Sequence, residues 1–102
     1  MQHEGWLPLT PLLSIKLLFV DDSADSVSFL LKAAPGAAVP EHKHTNYEEC
    51  LILEGKVKIG TLVLGPGEYH CASSAQDHPV ISSDTGALVY LRTSIHDCPI
   101  PL

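Results

Sequence analysis

Hydrophobic and polar positions alternate in short runs along this chain. No window of about eleven residues carries a helical stripe, so the pattern predicts strands from one end to the other. The runs lie near 14–20, 26–34, 47–54, 56–59, 61–64, 67–72, 79–82 and 86–92. Between them stand "DDSADS", "APG", "EHKHTN", "LEG", "GPGE" and "SSDTG", built from residues that turn a chain. Many short strands at this spacing read as an all-β sandwich or small barrel. The leading "MQHEGWLPLTPLL" holds two prolines and one tryptophan. It is expected to run extended along the barrel or to pair at a sheet edge, where a missing N–H does no harm. The tail "HDCPIPL" alternates proline with apolar residues, and neither end reads as a linker. There is no internal repeat. One domain over 1–102 is expected, with a barrel core about 13–93, an extended arm at 1–12 and a tail at 94–102.

Composition sharpens this. A chain of 102 residues has room for one core and one site. Hydrophobic residues at 45% against 18% charged describe a buried globular protein rather than a disordered one. Twelve acids against six bases leave a formal charge of -6, which repels a phosphate backbone and excludes nucleic acid as a partner. Cys50, Cys71 and Cys98 form no Cys-x-x-Cys pair and are odd in number. Free thiols in a reducing, cytoplasmic compartment are therefore expected. The apolar "LLSIKLLFV" at 12–20 is interrupted by Lys16, follows no basic region and stops at Asp21-Asp22, so it reads as neither a signal peptide nor a membrane span.

The chemistry lies in "PGAAVPEHKHTNYEECLILEG", residues 35–55. In an extended strand, residues two apart share a face, so His42 and His44 can aim two imidazoles at one point. In the run that follows, Glu48, Cys50 and Ile52 share one face while Glu49, Leu51 and Leu53 share the other. Only one glutamate can join the histidines. Imidazole with carboxylate suits a divalent first-row metal. A His-x-His pair after Pro40 is also what a solvated turn looks like, so the pair alone does not decide.

The wider spacing adds to it. Five residues separate Gly36 from His42, one lies between the histidines, three separate His44 from Glu48, and six separate Glu48 from Gly55. This resembles the first motif of the cupin superfamily with every fixed position filled, a motif that supplies two histidines and a glutamate to a metal. In the second cupin motif the histidine falls at His78, but Ser73, Ala75 and Ser82 stand where that motif has proline, glycine and asparagine. The turn before His78 is thus expected to have a different shape. A competing register runs from Gly60 through Pro66 to His70. It places proline directly before glycine and leaves too little chain for a hairpin, so His78 is preferred and His70 is the reserve ligand.

The flanks "GWLPL…LSIKLL", "FLLKAAPGAAVPEHKHT", the doubled Glu48-Glu49 before "CLILEG", and "SSDTGALVYLR" resemble the ChrR-like cupins over about residues 5–93. That family is found in the C-terminal domain of a zinc-binding anti-sigma factor and in many small stand-alone proteins. The resemblance implies a small β-barrel of the double-stranded β-helix, or jelly-roll, type with two facing antiparallel sheets. It also implies one divalent transition metal (zinc, iron, manganese or nickel) on His42, His44, Glu48 and His78. The short stretch between Gly55 and Gly67 matches the family's compact loop. A homodimer is expected, because the proline-containing arm and exposed sheet edges need cover.

Other residues read more plainly. Cys50 can line the pocket, but a small buried core residue is the default. Trp6 is expected to plug a barrel end, Tyr47 and Tyr69 to pack at the core edge, and His3 and His96 to be solvated. Asp21, Asp22 and Asp25 lack the glycine and terminal glutamate of a calcium loop and read as a solvated turn. Ser73, Ser74, Ser82 and Ser83 sit in no nucleophile elbow. Beyond the metal, the acid–base candidates are Glu49, His70 and the tyrosines.

Two functions follow from the resemblance. One is a metal-dependent, dioxygenase-like enzyme acting on an oxygen-chelating small molecule, for which an octahedral ion keeps two positions open. The other is a non-catalytic zinc-binding sensor or ligand-binding module. Because few residues precede the first strand, an anti-sigma role would draw its helical partner domain from another chain.

Overall fold

A computed structural model describes residues 5–39, 42–43, 47–72, 77–78, 80–100 and 102. Its strands are β1 (Trp6–Thr10), β2 (Leu13–Asp21), β3 (Ser26–Ala33), β4 (Ala37–Val39), β5 (His42–Lys43), β6 (Glu48–Gly55), β7 (Val57–Ile59), β8 (Leu62–Leu64), β9 (Tyr69–Ala72), β10 (Asp77–His78), β11 (Ile81–Ser83) and β12 (Ala87–Thr93). A 3-10 turn at Ile95–Asp97 follows. No helix among the described residues is long and apolar enough to cross a membrane.

The period-2 alternation read in the sequence becomes two layers. A six-stranded antiparallel sheet in the order β1-β2-β3-β12-β6-β9 turns Ile15, Val27, Phe29, Ile52, Val89 and Leu91 to one side. A four-stranded sheet, β4-β11-β7-β8, meets them with Val57, Ile59 and Leu64, and together these residues form one core. The fold is an all-β jelly roll. Among the described residues, its sheets face one another and share a core without closing into a continuous hydrogen-bonded barrel. Ile15 and Ile52 are fully buried, each withdrawing apolar surface worth about 1.5–3 kcal/mol from water.

The arm pairs at a sheet edge, one of the two outcomes expected. β1 lies beside β2, with a register shift between Pro8 and Thr10 where proline has no N–H to give. Strands β4, β5 and β10 were not resolved by the alternation. Each has only two or three residues, and each is made a strand by distant chain: β4 by β11 and β5 by β10.

The "DDSADS" turn does more than face solvent. Asp25 adopts φ 49, a left-handed conformation that Asp tolerates, and its carboxylate accepts from Ser94 Oγ at 2.9 Å and from the Ile95 N–H at 3.2 Å. Ser94 is buried, and this clasp folds the tail back so that Cys98 and Ile100 pack against the core.

Candidate metal centre

Strand β6 delivers Glu48 inward. Glu48, Cys50 and Ile52 are buried on one face, while Glu49 and Leu51 lie half-buried on the other and Leu53 is exposed. That is the division the alternation predicts. Glu48 is only 7% exposed. A carboxylate at that depth requires donors or a cation.

The two-stranded ladder sets His78 opposite His42 and Asp77 opposite Lys43. The chain leaving β9 therefore comes back to pair with the segment that carries the first histidines. His70 takes a different place, on β9 opposite Cys50, two pairs along from Glu48 opposite Ala72. It shares the inner face of β6 and β9 with Glu48. His44 lies outside the described residues, and His42 and His78 are described through their backbone. Among the described residues no group of three His, Cys, Asp or Glu side chains is arranged to hold a metal.

Glu48 lines a cavity of about 260 Å³ between the sheets. Phe29, Leu31, Ile81 and Leu91 form apolar walls, and the folded-back tail contributes Asp97 and Pro99. The two tail residues were missed by sequence reasoning. Nothing in "HDCPIPL" signals a return to the core, since the clasp that causes it spans 69 positions between Asp25 and Ser94.

Several expectations need correcting. Trp6 does not plug a barrel end: its pairing with Lys16 sets it on the outer face of the six-stranded sheet, where the Lys32 ammonium sits 5.3 Å from its ring centre. Glu49 is no acid or base for the cavity, because it faces outward. It accepts from Tyr69 Oη at 2.9 Å and pairs with Arg92 at 3.4 Å. The Glu49 contact pushes the Tyr69 phenol up to about 12, and Tyr69 is turned away from the cavity with it.

Cys50 follows the core reading. Burial, with the Glu48 charge second, pushes its thiol up to about 11 from 9.0. The neutral thiol is thus the folded form. Its contribution to stability is full below pH 9.0 and is lost as pH rises toward about 11, where the unfolded chain ionises first. All three cysteines are free, and Cys71 is the exposed one. Ellman's reagent is expected to find one fast thiol in the native protein, abolished by Cys71→Ser and untouched by Cys50→Ser. A fast phase lost in Cys50→Ser would contradict the burial described here.

A family profile described as "ChrR Cupin-like domain" matches residues 1–95. A crystal structure of Rhodobacter sphaeroides SigE in complex with the anti-sigma ChrR superposes with a TM-score of 0.76 at 23% identity, covering 87% of this chain and 48% of that one. This chain thus spans about half of that relative. An acetylacetone dioxygenase from Acinetobacter johnsonii superposes at 0.80 with 14% identity, covering 92% of this chain and 70% of that one. KdgF from a Halomonas species superposes at 0.73 with 19% identity, covering 95% and 93%. At these identities the likeness is one of fold. No curated protein matches.

Proposed function

This chain belongs to the ChrR cupin-like family, and from that premise we propose that it is a cytoplasmic metal-binding cupin whose His42, His44, Glu48 and His78 hold one divalent ion beside the inter-sheet cavity. The observation that carries the proposal is the β5–β10 ladder with His78 opposite His42, formed while β6 buries Glu48 at the cavity wall. The donor set fits a divalent transition metal: neutral imidazoles, with one carboxylate to offset charge. Zinc, iron, manganese and nickel all accept such ligands.

A bound ion of this kind would supply Lewis-acid polarisation of an oxygen-chelating ligand. The chain's own residues do the rest. Glu48 presents its carboxyl group at the cavity, and Phe29, Leu31, Ile81 and Leu91 exclude water and receive the ligand's apolar body. The reading favoured is therefore a site for a small oxygen-chelating molecule, dioxygenase-like in its reaction. The acetylacetone dioxygenase neighbour supports it through shared fold.

The likeness to the ChrR complex supports a second reading, a zinc-binding sensor that works on a protein partner supplied by another chain. The test separates the two. The protein is purified without added metal, its ion is identified, and iron(II) is restored anaerobically. Oxygen uptake is then followed over β-diketones, flavonols and small hydroxy acids. Uptake that requires both iron and a substrate is expected. Tightly held zinc, no turnover on any compound and a partner recovered by pull-down would replace the enzyme reading with the sensor.

A further inference from the structure

The tail that folds back on the core is fixed on both sides of Asp97. Before it, the Asp25 carboxylate accepts from Ser94 Oγ at 2.9 Å and from the Ile95 N–H at 3.2 Å. Ser94 Oγ in turn accepts from the His96 N–H at 3.2 Å, so one hydroxyl both latches the 3-10 turn and caps it. The Ser94 carbonyl accepts from the Asp97 N–H at 3.0 Å. After it, the Cys98 N–H bonds to the Ile95 carbonyl at 3.3 Å, and Cys98 and Ile100 pack against the core. Those apolar anchors would suffice to cover the core. The latch adds a set position for the turn between them.

That position is at the inter-sheet cavity. Glu48 and Asp97 are the charged residues among the described residues that line it, set among apolar walls such as Leu9, Phe29, Val39 and Leu91. Basic groups near the tail are directed elsewhere. Arg92 bonds to Ser26 Oγ at 2.9 Å and to Glu49 at 3.4 Å, and the His96 side chain is 76% exposed with Nε2 4.0 Å from Asp25. With a divalent ion on Glu48 and the neutral histidines, and one chelating oxyanion from the ligand, the formal charges cancel. Asp97 then sets the sign of the remaining cavity. In an apolar surround a carboxylate attracts a cation and repels a second carboxylate far more strongly than it does in water.

We propose, resting on the metal site proposed above, that Asp97 is a specificity-determining residue of this cavity, which takes small chelators bearing a protonated amine at the end away from the chelating oxygens. Ligands that bring a second carboxylate to that end are rejected. Asp25 and Ser94 are positioning residues: neither lines the cavity, and both act through the turn that carries Asp97.

Three hydroxamates with the same chelating head test this on the full chain loaded with zinc. β-Alanine hydroxamate and succinic monohydroxamate share a two-methylene spacer and end in ammonium and carboxylate, and propionohydroxamate is the uncharged reference. Calorimetric titration reads each Kd. Wild type is expected to prefer the ammonium probe to the carboxylate probe. Asp97→Asn, which keeps the shape and removes the charge, should cut that ratio at least about tenfold. Its affinity for propionohydroxamate, its zinc content and its melting temperature should hold, as they would not if Asp97 served only to pack the tail. Ser94→Ala should cut the ratio in the same direction with an unchanged far-UV circular dichroism spectrum. Tight binding of propionohydroxamate with no preference between the charged probes, or a preference that survives Asp97→Asn, would overturn the assignment and leave the metal site standing. Zinc lost from Asp97→Asn would overturn it by placing Asp97 among the metal's own partners. A Ser94→Ala ratio equal to wild type would remove the positioning role of the latch. Failure of all three probes to bind would remove the chelating site and the role of Asp97 with it.

Discussion

Alanine at His44 or at His78 is expected to strip the protein of its metal, while alanine at His70 leaves the content unchanged. With four ligands, the loss of one opens the shell to water. The penalty should exceed the roughly 10–100-fold that follows when a ligand's outer partner is lost. Elemental analysis after dialysis reads the result directly. Thermal melting gives a second readout, because an ion that binds only the folded chain raises its melting temperature. A chelator should therefore lower the wild-type midpoint and leave His44→Ala and His78→Ala where they are. The comparison with His70 is the sharper half of the experiment. His70 shares the inner face with Glu48, two ladder pairs away, so proximity alone would not exclude it. What favours His78 is its register with His42 on the β5–β10 ladder. Metal lost from His70→Ala and kept by His78→Ala would reverse the assignment, and unchanged metal in His44→Ala would remove it.

The split between these histidines shows what the sequence could disclose. Alternation along β6 already turns Glu48 inward and Glu49 outward, and the structure keeps that division. Direction along a single strand is a local property, legible wherever a run is long enough to alternate. The pairing of His42 with His78 is not local: it joins two-residue strands that carry no pattern of their own. In the sequence it was visible only through motif spacing. The Asp25–Ser94 clasp has no such spacing to betray it, and "DDSADS" looks like any polar turn until the tail is laid against it. Trp6 was misplaced for a related reason. Its face depends on which residue of β2 lies opposite, and the bulge near Pro8 fixes that register.

The glycines that bound the first histidine motif should respond very differently to alanine. Gly36 and Gly55 both have positive φ, 89 and 78, so a Cβ at either costs about 1–2 kcal/mol of backbone strain. Gly36 has nothing within 4 Å of that Cβ, and the strain is its whole cost. At Gly55 the Cβ would fall 2.1 Å from the Gly86 carbonyl oxygen and 2.8 Å from Ala87 Cα. Both are backbone atoms that no rotamer change can move aside. Gly55 also pairs with Ala87 in the ladder, so relief means prising β6 from β12, the two strands that bring Ile52 and Val89 to the core. Forcing atoms into such a space adds about 1–3 kcal/mol, for a total of about 2–5 kcal/mol out of the roughly 5–15 kcal/mol that holds a domain together. At about 4–8 °C per kcal/mol for a domain of this size, Gly55→Ala should melt about 8–40 °C below wild type and well below Gly36→Ala. Glu48 lies at the far end of β6 from this contact, so metal content measured well below the melting point should survive in Gly55→Ala. Matching midpoints for the two variants would show that β6 and β12 do not approach as closely at Gly86 as described. Metal lost from a still-folded Gly55→Ala would show that the two ends of β6 are not independent.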